Sequence, residues 1–211
     1  KRRWIYISNT TSIWTGTRMV WYTYGEILIL KYSIIIPYRD RESHLKILLP
    51  KLYDHFSDKD YEIIIIDNFS DDNTEEIVKK YKSDKFKYYK INNDGVIGKS
   101  RNLGIKNASA PWVAFLDSDD VWHKDKLEVI ENFLKKNSEF DVITNDEEIL
   151  YEGSKKKDIW KYGPYTQNFY KKLIIDGSCV STSASVVKKS FLKEKKILFS
   201  EKKIFSSVED Y

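Results

Sequence analysis

The sequence predicts an α/β protein, a sandwich of the doubly wound kind built on a mostly parallel central sheet. Three observations carry that expectation: five short apolar runs rich in β-branched residues, amphipathic helical patterns between them, and polar residues gathered where the runs end. Apolar runs without alternation are strands buried on both faces, and helices between them make the crossovers that parallel pairing needs. In such sheets, ligands bind outside the carboxyl ends of the strands.

The runs are YSIII (32 to 36), YEIIIID (61 to 67), FKYYKI (86 to 91), WVAFLD (112 to 117) and DVIT (141 to 144), each a strand by length and composition. Leu45, Leu48, Leu49, Leu52 and Phe56 share a helical face after the first, and Pro50 inside that pattern predicts a kink. Ile77, Val78 and Tyr81 share a face before the third run, and Leu127, Ile130, Phe133 and Leu134 before the fifth. Pro37, Tyr38 and Arg39 follow the first strand, Asp67 closes the second, Asn92 and Asn93 follow the third, and Asp117 closes the fourth. Turn formers are ordinary at strand ends. Their common edge is the informative feature.

The 211 residues suffice for one substantial core, with room for a small appendage. Thirty-six Lys and Arg against 32 Asp and Glu give a charge of +4, too evenly mixed for a protein that coats nucleic acid, so no nucleic-acid partner is expected. The single cysteine, Cys179, forms no internal disulfide and suits a reducing cytoplasm. No apolar run approaches the roughly 18 to 20 residues of a membrane span. The opening KRRWIYISNTTSIW is basic, but Ser8 to Ser12 interrupt what would be the apolar part of an export signal. Residues 1 to 30 hold three of the six tryptophans and the sole methionine, and lack the Lys/Asp/Glu-rich and Ile-rich texture that follows. They are expected to be a non-conforming leader or extension, with the domain at 31 to 211 and its C-terminus cut short at SSVEDY.

NNDGVIGKSRNLG (Asn92 to Gly104) contains Gly-Lys-Ser ahead of an apolar run ending in Asp, which invites a phosphate-loop reading. That loop needs a glycine five positions before the Gly of Gly-Lys-Ser. Asn93 stands there instead. DSDD (Asp117 to Asp120) supports a different chemistry. If the extended backbone continues, residues i and i+2 project to one side, so Asp117 and Asp119 converge. Two close carboxylates favour a hard cation between them, Mg2+ or Mn2+. A calcium loop of the EF-hand type is excluded by Val121 and Trp122, and capping of the following helix by Asp119 or Asp120 is the structural alternative.

Taken together, YSIIIPYRDR, EIIIIDNFSDDNT, NNDGVIGKSRNLGI, WVAFLDSDD and SVEDY resemble, in order and near spacing, the motifs of the family 2 glycosyltransferases. The resemblance runs from about Lys31 to Tyr211. It implies the GT-A fold, a Rossmann-like three-layer α/β/α sandwich, and inverting transfer of a sugar from a nucleotide-sugar donor. Carried over residue by residue, Pro37, Tyr38, Arg39 and Asp67 would form the nucleoside pocket, with Asp67 accepting from the ring N–H of uracil. Asn93 and Arg101 would line the diphosphate side. Asp117 and Ser118 would belong to the same donor site, with Asp117 reaching the ribose or the metal and Asp119 as the main ligand of Mn2+ or Mg2+. Asp210 would be the catalytic base. Where the family usually has Asp-Asp-Gly-Ser, this chain has Asp67-Asn68-Phe69-Ser70, a departure that bears on contacts made through the second Asp. PYRDRESHL is closer to the Pro-Phe-Arg-x-Arg segment of animal-type galactosyltransferases, which implies a hexose or hexosamine donor.

The resemblance thus implies a UDP-sugar donor and a glycan or lipid-linked acceptor, with lipopolysaccharide or capsule synthesis as the setting. A nucleotide-sugar-binding fragment without turnover is the alternative. A nucleotidyltransferase on a similar sheet lacks support, because PYRDRESHL has no Gly-rich basic loop. His44, His55 and His123 show no metal-ligand spacing. Lys188 to Lys203 carries seven lysines among apolar residues, which suits either a solvated helix or peripheral contact with the inner face of a membrane from the cytoplasm. GSCVSTSASVVKKSFL resembles the acceptor-side strand and helix of the family.

Overall fold

Two all-buried apolar segments dictate the architecture, because strands with no solvent face require cover on both sides. The computed structural model describes residues 31–205 apart from 57–59, 82, 152, 154, 163–170, 172–174 and 176–179, with backbone alone at 55, 56, 205, 5–6, 21–23 and 26–28. The described residues fall into two compact units, the larger within Thr17–Trp122 and Val187–Glu209, the smaller within Lys1–Gly16 and His123–Val186.

Three short strands come first, β1 (Ile5–Tyr6), β2 (Trp21–Thr23) and β3 (Glu26–Leu28), of which β2 and β3 pair antiparallel. The larger unit then runs β4 (Tyr32–Tyr38), α1 (Glu42–Phe56), β5 (Tyr61–Asp67), α2 (Thr74–Lys79), β6 (Phe86–Lys90), α3 (Ile97–Asn107) and β7 (Trp112–Phe115). The smaller unit carries α4 (Lys126–Leu134), β8 (Val142–Thr144), β9 (Glu147–Leu150) and β10 (Lys157–Trp160), with β1 parallel to β8 and β9 antiparallel to β10. Strand β11 (Ser185–Lys188) leads the chain from the smaller unit to α5 (Lys189–Lys195) in the larger.

In the larger unit the strands lie in the order β7-β4-β5-β6, all parallel. Every residue of β4 and β5 is buried, the isoleucine runs and the polar Ser33, Glu62 and Asp67 alike. Helices α1 and α2 lie against each other, and α3 runs against β4 and β5. The step from β6 to β7 reverses direction along the sheet, so a right-handed crossover carries α3 to the face opposite α1 and α2. Leu45, Leu48, Leu49 and Leu52 are all buried on α1, each contributing about 1.5–3 kcal/mol. Pro50 sits inside the helix without ending it. Gly104 permits α3 its approach to β4: a Cβ there would lie 2.3 Å from Ile35 Cγ2.

One strand and one helix are shorter than their sequence patterns. Strand β7 ends at Phe115: Leu116 N makes a last bond to Ile35 O (3.0 Å), and the chain then turns, Asp120 N bonding Asp117 O at 3.1 Å. Helix α2 ends at Lys79, leaving Tyr81 beyond it, stacked on Phe86 with ring centroids 6.3 Å apart. At the amino edge of the sheet, buried Glu62 accepts from Ser33 Oγ and Ser109 N (both 2.5 Å) and pairs with Lys87 Nζ at 2.6 Å. A buried carboxylate without such partners would be strongly destabilising.

Substituting Gly104→Ala forces a methyl group into the fully buried Ile35 side chain. The expected cost is about 1–3 kcal/mol, read as a lower denaturation midpoint with an unchanged slope.

Candidate active site

The order β7-β4-β5-β6 means that the chain proceeds outward from β4 through β5 to β6, then returns to the far side of β4 for β7. Such a reversal leaves a crevice outside the carboxyl ends of the two strands flanking it, here β4 and β7. The tips beside it carry Pro37 to Arg41 and Asp117 to Asp119, with Asp67 next along the edge, since Tyr38 and Asp67 are register partners. Pro37, Tyr38, Arg39, Asp67, Asn93, Asp117, Ser118 and Asp119 therefore do share one edge, as the sequence predicts.

The loops at these tips are fastened to one another. Asn68 N donates to Tyr38 O (2.9 Å), Asp40 N to Ser70 Oγ (2.9 Å) and Asp71 N to Asp40 Oδ1 (2.8 Å). Tyr38 Oη accepts from Arg41 N at 3.1 Å, and burial raises the phenol above its ordinary pKa. Pro37 is buried and Arg39 is exposed, its Nε donating to Asp40 Oδ2 at 3.0 Å. Asp67 is fully buried. Its Oδ1 accepts from Ser70 N (2.9 Å) and Ser70 Oγ (2.6 Å), and its Oδ2 from Tyr88 Oη (2.5 Å). Burial first, and then this bond to an acceptor carboxylate, push the Tyr88 phenol well above the usual range.

Asn93 organises its own loop. Its backbone N donates to Asn68 Oδ1 (2.9 Å), its Nδ2 to Ser100 Oγ (3.0 Å), and its Oδ1 accepts from Gly95 N (2.9 Å). The first glycine of this segment is explained by its backbone conformation and the second by close packing. Gly95 has φ +76°, and a Cβ on Gly98 would meet Ser200 O at 2.4 Å. Lys99 pairs with Asp94 at 2.6 Å. No phosphate cradle is needed to account for them.

Arg101 is only 2% exposed. Its Nη2 donates to both oxygens of Asp117 at 3.2 Å, and its guanidinium lies 5.1 Å from the Phe199 ring centroid. Phe199 is held edge-on to Phe115 (5.3 Å), and Asn102 bonds both its N and its O at 3.0 Å. Arg101 thus reaches Asp117 from beneath an aromatic cover instead of lying open along the edge.

The aspartates of DSDD do not continue an extended strand, so the geometry expected to make Asp117 and Asp119 converge is replaced by the turn at Asp117–Asp120. Asp117 takes Arg101 as partner, and Asp119 Oδ2 takes Arg41 Nη1 at 2.5 Å, with Arg41 also 3.4 Å from Ser118 Oγ. Two acidic neighbours are tolerated because each has its own arginine. Neither Asp119 nor Asp120 caps α4, whose N-cap position is Asp125. Among the described residues no group of three or more His, Cys, Asp or Glu converges as a metal cage. The donor set nevertheless suits Mg2+ or Mn2+, ions that are held by one or two carboxylates together with substrate phosphates. The expected base, Asp210, lies outside the described residues, as do Glu209 and Cys179.

Sequence reasoning missed Arg41, Ser70, Tyr88 and Phe199 as members of this edge. Arg41 was signalled by its place in PYRDR. Phe199 has no local signal, because its partners lie on α3.

A model of glycosyl transferase family 2 matches residues 33–194, and the chain belongs to that family. The poly(ribitol-phosphate) beta-N-acetylglucosaminyltransferase TarP of Staphylococcus aureus is 37% identical over 177 residues, covering 80% of this chain and 52% of TarP. The crystal structure of S. aureus TarS residues 1–349 matches with a TM-score of 0.67 at 27% identity, covering 86% of this chain and 53% of that one. The same TarS segment in complex with UDP-GlcNAc matches with a TM-score of 0.64 at 26% identity, over 81% of this chain and 49% of that one. These likenesses show the expected GT-A fold. The chain spans about half the length of these proteins.

Tyr88→Phe removes a donor from buried Asp67 and should cost about 1–3 kcal/mol. Because the folded phenol pKa is raised, its stabilising contribution is present below about pH 10 and lost as pH rises beyond it. Denaturation curves between pH 8 and 11 should therefore show the unaltered chain losing stability more steeply than Tyr88→Phe.

Proposed function

We propose that the chain is the donor-binding and catalytic domain of an inverting, divalent-metal-dependent glycosyltransferase. It moves a hexosaminyl or hexosyl group from a UDP-sugar, with UDP-N-acetylglucosamine the favoured donor, to a hydroxyl of a surface glycan. The observation that carries this reading is the reversal of strand order between β4 and β7, with both aspartates of the β7 tip held by arginines, Asp119 by Arg41 from beyond β4 and Asp117 by Arg101 from α3. Family membership and the UDP-GlcNAc complex of TarS support it. The lone cysteine and the exposed lysines after α5 suit action in the cytoplasm at the inner face of a membrane.

Asp117 and Asp119 are the residues that would hold Mn2+ or Mg2+. When bound, such an ion supplies Lewis-acid stabilisation of charge on the departing diphosphate. The chain's own part is positional. Arg101, buried and covered by Phe199, fixes the Asp117 carboxylate through hydrogen bonds to both of its oxygens. Arg41 is half-exposed; in exchanging Asp119 for a phosphate oxygen it would make charge-assisted hydrogen bonds to the leaving group. Asp67 is fully buried and already accepts three hydrogen bonds, from Ser70 and Tyr88, so acceptance from a base N–H would require its Oδ2 to be uncovered when the donor binds. Asp210 takes the acceptor hydroxyl proton as the oxygen attacks the anomeric carbon from the face opposite the diphosphate, which inverts configuration. Such a base contributes on the order of 10² to 10⁴-fold.

The second reading, a domain that binds donor without turning it over, shares the same pocket and differs in turnover. Calorimetry with UDP and Mn2+, followed by assays of donor hydrolysis and transfer, separates the two. Metal-dependent UDP binding, weakened at least tenfold in Asp119→Asn, is expected, with turnover falling on the order of 10² to 10⁴-fold in Asp210→Asn. Binding without turnover selects the second reading. Absence of UDP binding overturns both.

A further inference from the structure

Phe69 has φ +45°, in the left-handed region that an L side chain enters at a steric cost. Three other described non-glycine residues share a positive φ, and each has a reason. Asp40 and Asp94 are of a type that tolerates this conformation, and Lys196 forms the left-handed C-cap of α5. Phe69 is neither such a type nor a helix cap: it stands where the family pattern Asp-Asp-Gly-Ser has a glycine, and keeps that backbone with a bulky side chain. Its side chain is 56% exposed, so the strained backbone gains little apolar burial in return.

The backbone on either side leaves it no relaxed alternative. Asn68 N is tied to Tyr38 O (2.9 Å), Ser70 N to Asp67 Oδ1 (2.9 Å), and Asp71 N to Asp40 Oδ1 (2.8 Å). Strained conformations over-determined in this way cluster at active sites and ligand clamps. The loop belongs to the same strand-tip edge, two residues beyond Asp67 and one strand away from the reversal between β4 and β7.

We propose that Phe69 is a stacking platform for the nucleobase of the donor, an affinity-determining residue displayed by a strained loop. The inference rests on the donor reading above. A flat aromatic face adds affinity for any base through its π surface, without reading hydrogen bonds. Phe69 lies two residues after Asp67, the residue assigned to the nucleoside pocket, and its ring is exposed. The two arginine–aspartate pairs at the β7 tip, Arg41–Asp119 and Arg101–Asp117, lie beside the crevice where the diphosphate is placed.

The test is calorimetric titration of the full chain with UDP in the presence of Mn2+, for the unaltered protein and for Phe69→Asn, Phe69→Gly and Phe69→Trp, with a thermal melt of each. The Asn and Gly variants should bind UDP about tenfold more weakly. Phe69→Asn should melt no lower than the unaltered chain, because it removes an exposed ring and suits the left-handed backbone. Phe69→Trp should keep the affinity. Unaltered affinity in Phe69→Asn and Phe69→Gly overturns this inference alone, as does a loss that Phe69→Trp shares. If the unaltered chain binds no UDP, the donor reading falls and the inference with it.

Discussion

Strand β4 is hydrogen-bonded on both sides and buried along its whole length, and the placement of the candidate site follows from its register. Pairing Tyr38 with Asp67 sets the tip of β5 level with the tip of β4. Pairing Ile35 with Phe115 brings β7 to the same edge two residues before Asp117. A slip of one residue would turn each side chain to the opposite face, and burial on both faces makes that costly. The core thus determines where the carboxylates and arginines can be, well before any ligand does.

The second constraint is the fastening of the tip loops. Asp72 accepts from Glu42 N at the start of α1 and from Thr74 N at the start of α2, both at 3.0 Å, so one carboxylate secures two helix entrances. Asp40 and Ser70 knit the same loops nearer the strand ends. Anionic side chains at helix N-termini are favourable in any case. Here they also hold the loops in fixed positions, which reduces the ordering that a ligand would otherwise impose.

Much of this was legible in the sequence, because strand length, burial and polar ends are all local signals. The runs at 32 to 36 and 61 to 67 mark β4 and β5, and Asp67 closes β5 as its position at the end of YEIIIID implies. The glycine of the family pattern Asp-Asp-Gly-Ser falls at Phe69, and the positive φ found there is what a glycine position calls for. The partners of DSDD were not legible. A turn and an extended continuation are equally compatible with those four residues, and which carboxylate meets which arginine is decided by α3 and by the loop after β4. The Gly-Lys-Ser resemblance misleads for a related reason: Gly98 serves a chain segment distant in sequence, which no local pattern shows.

Asn102 and Phe199 are 97 residues apart, which has a consequence for synthesis. A ribosome adding about 5–20 residues per second completes α3 roughly 5–20 s before the aromatic cover of Arg101 emerges. During that interval the nascent sheet carries a guanidinium without the ring destined to enclose it. Closure of the larger unit therefore waits until the chain beyond α5 has left the ribosomal tunnel.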